Sequence, residues 1–319
     1  MTAPMTAKVK PDWAGETLLS HIVNALIQTK PIYALMKQQA RQVLIQTAEK
    51  NGVPWRQTVK DWQAAELQQR FASLNNPDVI YPDYYKVPFH AYDQGNLCWL
   101  AAFEAEPATY AMALRVWSKE KLSWQTAQAR LRSSFHDILA QYGPTRIHNA
   151  LDMGCSVGLS TIALHRFLRQ HQTERVQTVG LDLSPYMLTV AQARDSQQEI
   201  QQWVHACAEQ TPFAAQSFDL ITLQFVIHEL PRQASRAIFQ EAFRLLRPGG
   251  ALGIVDNNPK SAVIQSLPPV LFTLMKSTEP WSDDYYTFDV EEALMATGFE
   301  KPTLVASDPR HRTIVARKS

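Results

Sequence analysis

Leu151-Asp152-Met153-Gly154-Cys155-Ser156-Val157-Gly158 carries the reading of this chain. It is a run of small residues between a strand-like stretch, Ile147–Asp152, and a helix-like one, Leu159–Gln170. A strand that turns through small residues into a helix start brings backbone N–H groups to a positive dipole end. Glycine there lets a ligand approach the backbone closely. The expectation is therefore a loop whose N–H groups are free for a ligand. A second stretch, Val179-Gly180-Leu181-Asp182-Leu183, reads as the next strand and ends in an acid 30 residues after Asp152. An acid at that strand end is placed to accept hydrogen bonds from ribose hydroxyls.

Three patterns compete for the loop. The dinucleotide fingerprint G-x-G-x-x-G would fall on Gly154, Ser156 and Leu159, and its last position fails. Gly154-Cys155-Ser156-Val157-Gly158 spells the G-x-S-x-G of a serine nucleophile elbow. That motif needs a hydrolase sheet and an oxyanion loop upstream, whereas the chain before residue 146 reads mostly as helix. An elbow also gives no role to Asp152 or Asp182. The third pattern uses both acids. Asp152, Gly154, Ser156 and Gly158 resemble the D-x-G-x-G-x-G loop of class I S-adenosylmethionine-dependent methyltransferases, with serine at the middle glycine.

Further matches to that family follow in order. Leu181-Asp182-Leu183-Ser184 resembles the second motif, whose acid binds ribose. Ala208-Glu209-Gln210-Thr211-Pro212-Phe213 resembles the segment beside the adenine, Ser217-Phe218-Asp219-Leu220-Ile221 the fourth strand, and Arg244-Leu245-Leu246-Arg247-Pro248-Gly249-Gly250 the turn before the fifth. The five motifs span about residues 146–256, and the resemblance is strongest to the type 11 branch containing ubiquinone and menaquinone C-methyltransferases. It implies a Rossmann-like α/β fold, a seven-stranded mostly parallel sheet with helices on both faces. It also implies S-adenosylmethionine as cofactor, with S-adenosylhomocysteine as product. Two positions depart from the pattern. Cys207 stands where the family has an acid next to the adenine, leaving the adenine amino group to backbone or to Glu209. Ser156 replaces glycine, which a negative φ would tolerate, and its hydroxyl can reach a methionine carboxylate.

The cofactor residues this implies are Asp152, Gly154, Cys155, Ser156, Gly158, Asp182, Leu183, Met187, Ala208, Glu209 and Gln224. Asp152 reads either as a brace that accepts loop N–H bonds or as a contact of the methionine amino group. Leu183 and Met187 are placed to pack on the adenine, although Met187 fits a core equally well. Methyl transfer is an in-line displacement that needs positioning, a base only where the acceptor carries a proton, and no metal. His228, after the fourth strand in Gln224-Phe225-Val226-Ile227-His228-Glu229-Leu230, is the candidate base, with a buried structural histidine as the competing reading. Glu229 is expected near the start of the next helix, where its charge suits the dipole.

Composition narrows the rest. The chain has 319 residues, 45% of them hydrophobic, and a net charge of +1, which argues against nucleic acid as a partner. Cys98, Cys155 and Cys207 are isolated and lack metal-ligand spacing, so no disulfide scaffold and no zinc are expected, and the compartment expected is the cytoplasm. Neither a secretory signal nor a membrane span is legible.

Before the sheet, Thr17–Gln28, Ile32–Asn51, Trp55–Leu74, Ala108–Trp117 and Ser123–Tyr142 read as helices. Between them an aromatic segment, 81–103, holds Tyr81, Tyr84, Tyr85, Phe89, His90, Tyr92, Trp99 and Phe103. Six of the eight tryptophans precede residue 150, too many large apolar groups for a solvated linker. The expected organisation is an all-helical N-terminal cap over 1–130, with 81–103 as a lid, and a methyltransferase domain over 131–319. Tyr84, Tyr85 and His90 are the lid residues expected to face the acceptor. Trp281, Tyr285 and Tyr286 are expected as the opposite wall. The apolar stretch Leu267-Pro268-Pro269-Val270-Leu271-Phe272 is a candidate for peripheral membrane contact. The acceptor expected is a small molecule, aromatic or lipophilic. A protein acceptor is the alternative, and a non-catalytic S-adenosylmethionine-binding assembly protein is the alternative from another class.

Overall fold

In the computed structural model, residues 30–90, 92–268 and 278–319 are described. The expected helix Thr17–Gln28 and most of the stretch 267–272 lie outside them. The extension contributes α1 (Lys30–Lys50), α2 (Trp55–Ala64), α3 (Gln68–Leu74), a 3₁₀ turn (Asp83–Tyr85) and α4 (Trp99–Val116). Two boundaries differ from the expectation. Trp55–Leu74 is two helices, because Ala65 turns extended (φ −76°, ψ 142°) and the break drops Leu67 into a buried cluster with Met187 and Val190. The helix expected from Ala108 starts at Trp99 and runs through Pro107. Proline there removes one helical hydrogen bond, but Ala101, Ala102 and Phe103 are buried, and their packing outweighs the lost bond. Trp99 and Phe103 are thus helical, and the irregular aromatic segment ends at residue 98.

The sheet region runs α5 (Trp124–Tyr142), β1 (Asn149–Met153), α6 (Leu159–His171), β2 (Gln177–Asp182), α7 (Pro185–Arg194), β3 (Gln202–His205), β4 (Phe218–Gln224), a 3₁₀ turn (Ile227–Glu229), α8 (Arg232–Leu245) and β5 (Leu246–Asn257). It closes with α9 (Ala262–Gln265), α10 (Ser282–Tyr286), α11 (Val290–Thr297), β6 (Thr303–Ala306) and β7 (His311–Arg317). The seven strands lie in the order β3-β2-β1-β4-β5-β7-β6. The first five are parallel; β7 is antiparallel to β5, and β6 to β7.

Both faces of the sheet are covered, as a parallel sheet requires. On one face Leu151, Met153, Leu181, Ile221 and Ile254 meet Ile238, Phe239, Ala242 and Leu245 of α8. Burying each large side chain of that helix stripe is worth about 1.5–3 kcal/mol. On the other face Ala150, Leu220 and Val255 meet Phe135, Ile138 and Leu139 of α5 and Leu164 and Leu168 of α6. A boundary at 130/131 therefore falls inside α5, which belongs to the sheet; the irregular stretch 117–123 separates α4 from α5.

Register aligns the functional strand ends. Met153 pairs with Leu181 on one side and with Leu223 on the other. Asp182 and Gln224 therefore project one step beyond β1, on either side of its exit loop. The strand order reverses between β1 and β4, the kind of crevice where open α/β sheets hold ligands. Among the described residues no helix is long and apolar enough to cross a membrane.

Candidate active site

The loop after β1 turns on three left-handed residues, Gly154 (φ +74°), Ser156 (φ +49°) and Gly158 (φ +76°). Ser156 does not have the negative φ that would make serine easy here, and its backbone is held by a bond from its N–H to Asp182 Oδ2 at 2.7 Å. The loop's other N–H groups are also largely spent within the chain. Gly154 and Cys155 donate to Leu181 O at 2.8 and 3.0 Å, and Gly158 donates to Cys155 O at 3.0 Å. The free donor array expected from the sequence is therefore not what the glycines provide. A Cβ on Gly154 would come within 2.7 Å of Val226, and one on Gly158 within 2.6 Å of Trp203. The small residues let the loop lie flat against its own scaffold. Cys155 turns its thiol into a cluster with Ile162, Leu188 and Trp203, so only its backbone faces the crevice side. Met187 is 6% exposed and packs with Val157 and Val190 as core. Ser156 Oγ contacts Met187 Sδ at 3.6 Å, an apolar-side partner that leaves the serine without a base.

Asp152 is a brace, although its partners are side chains and not loop N–H groups. Thr161 donates to Oδ2 at 2.7 Å; Thr222 at 2.7 Å and Gln224 at 3.2 Å donate to Oδ1. Gln224 Oε1, by contrast, is buried with no partner among the described residues. Asp182 is 8% exposed and accepts from Ser156 N and, at 2.8 Å, from Ser184 N. Burial outweighs those two bonds and raises its carboxyl to about 6. Each of its oxygens keeps a second lone pair for a ligand hydroxyl. An unpaired buried acceptor costs free energy that a donor on a ligand would recover. A ribose diol at Asp182 and an ammonium at Gln224 Oε1 match these two groups, so the residues present fit the cofactor that the motifs imply.

The extension lies across these strand ends. His205, the last residue of β3, accepts from Asn76 N through Nδ1 at 2.9 Å, which leaves Nε2–H facing Leu183 O at 3.1 Å and Tyr81 OH at 3.2 Å. Tyr84 OH donates to Glu209 Oε1 at 2.5 Å, and Cys207 Sγ donates to Glu209 Oε2 at 2.7 Å. Beside them, Leu183 is buried and Ala208 half-buried. Tyr85 has no side-chain hydrogen bond among the described residues; burial, with Asp182 and Glu229 nearby, pushes its phenol well up. Ser184, which caps α7, also donates to Asn96 O at 2.7 Å. Farther out, buried Glu104 accepts from Tyr92 OH at 2.6 Å, Trp55 Nε1 at 3.1 Å and Arg41 Nε at 3.2 Å. Arg194 ties α7 to Glu106 of α4 at 2.6 Å.

A second polar cluster sits beyond β4 and β5. His228 Nδ1 lies 2.7 Å from Asp256 Oδ1, an ion-pair contact too bent for a good hydrogen bond. Burial alone would lower the imidazole's pKa. Asp256, backed by Glu229 and Glu279, outweighs burial and pushes it up to about 10. The raised value fits the structural histidine that was weighed against the base, one held in an ion pair with Asp256. Glu229 lies at the end of the 3₁₀ turn and not in the first turn of α8, where Asp284 caps Arg232 N at 3.1 Å. His90 Nε2 stands 3.8 Å from Glu229 and 4.0 Å from Glu279. Tyr285 on the far wall is buried and donates to Asn257 O; Trp281 donates to Tyr84 O at 3.4 Å.

Asp256, Glu279 and His205 were not anticipated. His205 closes β3 and Asp256 is the last residue but one of β5, so the strand-end rule that found Asp182 also reaches them. Glu279 lies in a loop with no motif.

Comparison with known proteins agrees with this geometry. Residues 151–254 match the family model described as "Methyltransferase domain". A 2-methoxy-6-polyprenyl-1,4-benzoquinol methylase, mitochondrial, of Caenorhabditis elegans is 36% identical over 125 residues, 38% of this chain and 42% of that protein. A demethylmenaquinone methyltransferase of Lactiplantibacillus plantarum is 31% identical over 147 residues, 45% of this chain and 52% of that one. This chain thus spans about half the length of the curated relatives it matches. A candidate O-methyltransferase from Nostoc punctiforme, 18% identical with a TM-score of 0.51, covers 82% of this chain and 69% of its own, a likeness of fold that reaches into the helical extension. Motif order, sheet order and the matched stretch agree: residues 151–254 are similar to the methyltransferase domain family, and the motifs they carry resemble those of its class I S-adenosylmethionine-dependent members.

Proposed function

We propose that the chain transfers a methyl group from S-adenosylmethionine to a small aromatic molecule held between segment 81–98 and the C-terminal edge of the sheet. The observation that carries this reading is the pairing of Asp182 with the unpartnered Gln224 Oε1 across the β1 exit loop, at the point where strand order reverses. S-adenosylmethionine, when bound, supplies an electrophilic methyl on a positively charged sulfur. In this reading Asp182 accepts from the ribose hydroxyls and Gln224 Oε1 from the methionine ammonium, while Asp152 keeps Gln224 aimed. Leu183 and Ala208 flank the adenine, with Glu209 as the acceptor for its amino group. The 154–158 loop contributes shape more than donors. Cys155 and Met187 act from behind it, and Ser156 fixes Asp182.

The extension is a cap in this account, and Tyr81, Tyr84 and Tyr85 roof the nucleoside end while His90 faces the acceptor end. The matched relatives, one named for a benzoquinol and one for demethylmenaquinone, support an aromatic acceptor. Three unpaired cysteines support a reducing compartment, and we propose the cytoplasm. The test is direct. S-adenosylhomocysteine should raise the melting temperature, as linkage requires, and NAD should not. Methyl-labelled S-adenosylmethionine should then label a low-molecular-weight product in a cell extract. Stabilisation by NAD alone would overturn the reading, and label confined to protein would replace the acceptor class.

A further inference from the structure

The carboxylates around this crevice are committed to donors, with one exception. Asp152 and Asp182 are bonded as described, and Glu209 accepts from Tyr84 and Cys207. Asp256 accepts from Asn257 N at 2.6 Å and His228 N at 3.2 Å, and Glu279 from Ser282 Oγ at 3.3 Å. Among the described residues Glu229 accepts no hydrogen bond at its side chain, and its nearest charged contact is His90 Nε2 at 3.8 Å. The Glu229 side chain is 26% exposed and that of His90 39%, against 2% for Asp256. Glu229 is therefore the crevice carboxyl left without a hydrogen-bond donor, part-buried at the sheet edge with His90 beside it.

We propose that Glu229, with neutral His90 beside it, takes the acceptor's proton and releases it to water, so that the acceptor is a hydroxyl-bearing molecule and not an amine. The inference rests on the methyl-transfer reading. An unprotonated amine can attack the methyl group without a base, whereas a hydroxyl acceptor gains from one. As the acceptor's electron pair forms the new bond to the methyl carbon, the carbon–sulfur bond breaks with its pair staying on sulfur. The hydroxyl proton moves to a Glu229 oxygen and from there to water, which returns Glu229 to carboxylate.

The surroundings suit this role. Glu229 faces His228 on its own turn, Asp182 from β2, Asp256 from β5, Glu279 from the segment before α10, and His90 and Tyr85 from the cap. Burial raises its carboxyl to about 8; His228 opposes the rise and the three acids add to it. Burial and the charge on His228 hold His90 well below the usual histidine value, so it stays neutral and adds no charge beside Glu229. His228, already protonated on Asp256, is a positioning residue.

The experiment uses the full chain with methyl-labelled S-adenosylmethionine, an alkyl-substituted hydroquinone and a solvent extract of bacterial cells. The wild type should label a hydroxyl-bearing compound, with a rate that rises with pH through the Glu229 titration. Glu229→Gln should lose about 100-fold or more of the rate, the usual size of a general-base contribution, and lose that pH dependence. Glu229→Asp should keep part of both, and His90→Asn should lose less than Glu229→Gln. Affinity for S-adenosylhomocysteine should stay within about threefold in every variant, since this base sits outside the cofactor set. A Glu229→Gln rate or pH profile equal to wild type, or a product methylated on an amine nitrogen, would overturn the inference alone. A wild type that binds S-adenosylhomocysteine but labels nothing would overturn the methyl-transfer reading and the inference with it.

Discussion

Asp182 does two jobs with one carboxylate. It holds the backbone of Ser156 and Ser184, and it is the group assigned to the ribose. A strand-end acid read from sequence looks like a surface ligand that can be removed without harm to the fold; 8% exposure and two backbone bonds say otherwise. Asp182→Asn keeps one carbonyl oxygen and turns the other acceptor into a donor. One of the two backbone N–H groups then faces an NH₂, at a cost of about 1–3 kcal/mol. The variant should melt lower by roughly 2–4 °C per kcal/mol and bind S-adenosylhomocysteine about tenfold or more weakly. Calorimetry that finds the melting temperature lowered and affinity unchanged would confine Asp182 to the brace. The motifs singled out Asp152 and Asp182 because chemistry fixes residue type at a strand end, and Glu209 because it follows β3 in the segment that resembles the family's adenine motif. The state of His228 was not legible. Its partner Asp256 is 28 residues away, and only the pairing of β4 with β5 brings them together.

The parallel strands were readable as elements because a sheet buried on both faces demands short apolar runs between helices. The helices of the extension were readable in kind and less so in extent. Nothing local in Trp55–Leu74 announces the break at Ala65, which buries Leu67, and the helix expected from Ala108 begins nine residues earlier, at Trp99, with Pro107 inside it. How the extension attaches was hidden too, since it turns on His205. A backbone N–H can only donate, so Asn76 N fixes His205 Nδ1 as an unprotonated acceptor. Burial lowers the folded pKa of this imidazole, and its contact with Leu183 O only partly offsets that. Between the two pKa values the unfolded or detached state binds more protons. The attachment is therefore at full strength above the unfolded value of about 6.5 and is lost as pH falls through that value toward the folded one. Hydrogen exchange in segment 75–81 should quicken at pH 5 relative to pH 7.5. In His205→Asn, whose carbonyl oxygen can replace Nδ1, that segment's pH response should flatten. Because buried His136 and His165 also resist protonation, the comparison must be local; an equal acid response in wild type and variant would clear His205 of the role.

At the scale of the molecule, the crowd of tryptophans before the sheet is explained by shared cores. Trp55 and Trp117 are buried, and Trp62 and Trp99 pack against the cluster that includes Met187 and Val190 of α7. The extension is continuous with the sheet region through Glu106–Arg194, Asn96–Ser184 and Tyr84–Glu209. Cutting the chain near residue 120 would strip the apolar face of α7, so a truncated protein would not report cleanly on the cap. The account's central claim is that the cofactor lies between the sheet edge and the extension's aromatic segment. Hydrogen exchange of the full chain, with and without saturating S-adenosylhomocysteine, tests this directly. The account predicts slower exchange at 81–90 together with 182–184 and 206–210. Protection limited to the sheet segments, with 81–90 exchanging as in the free protein, would contradict it.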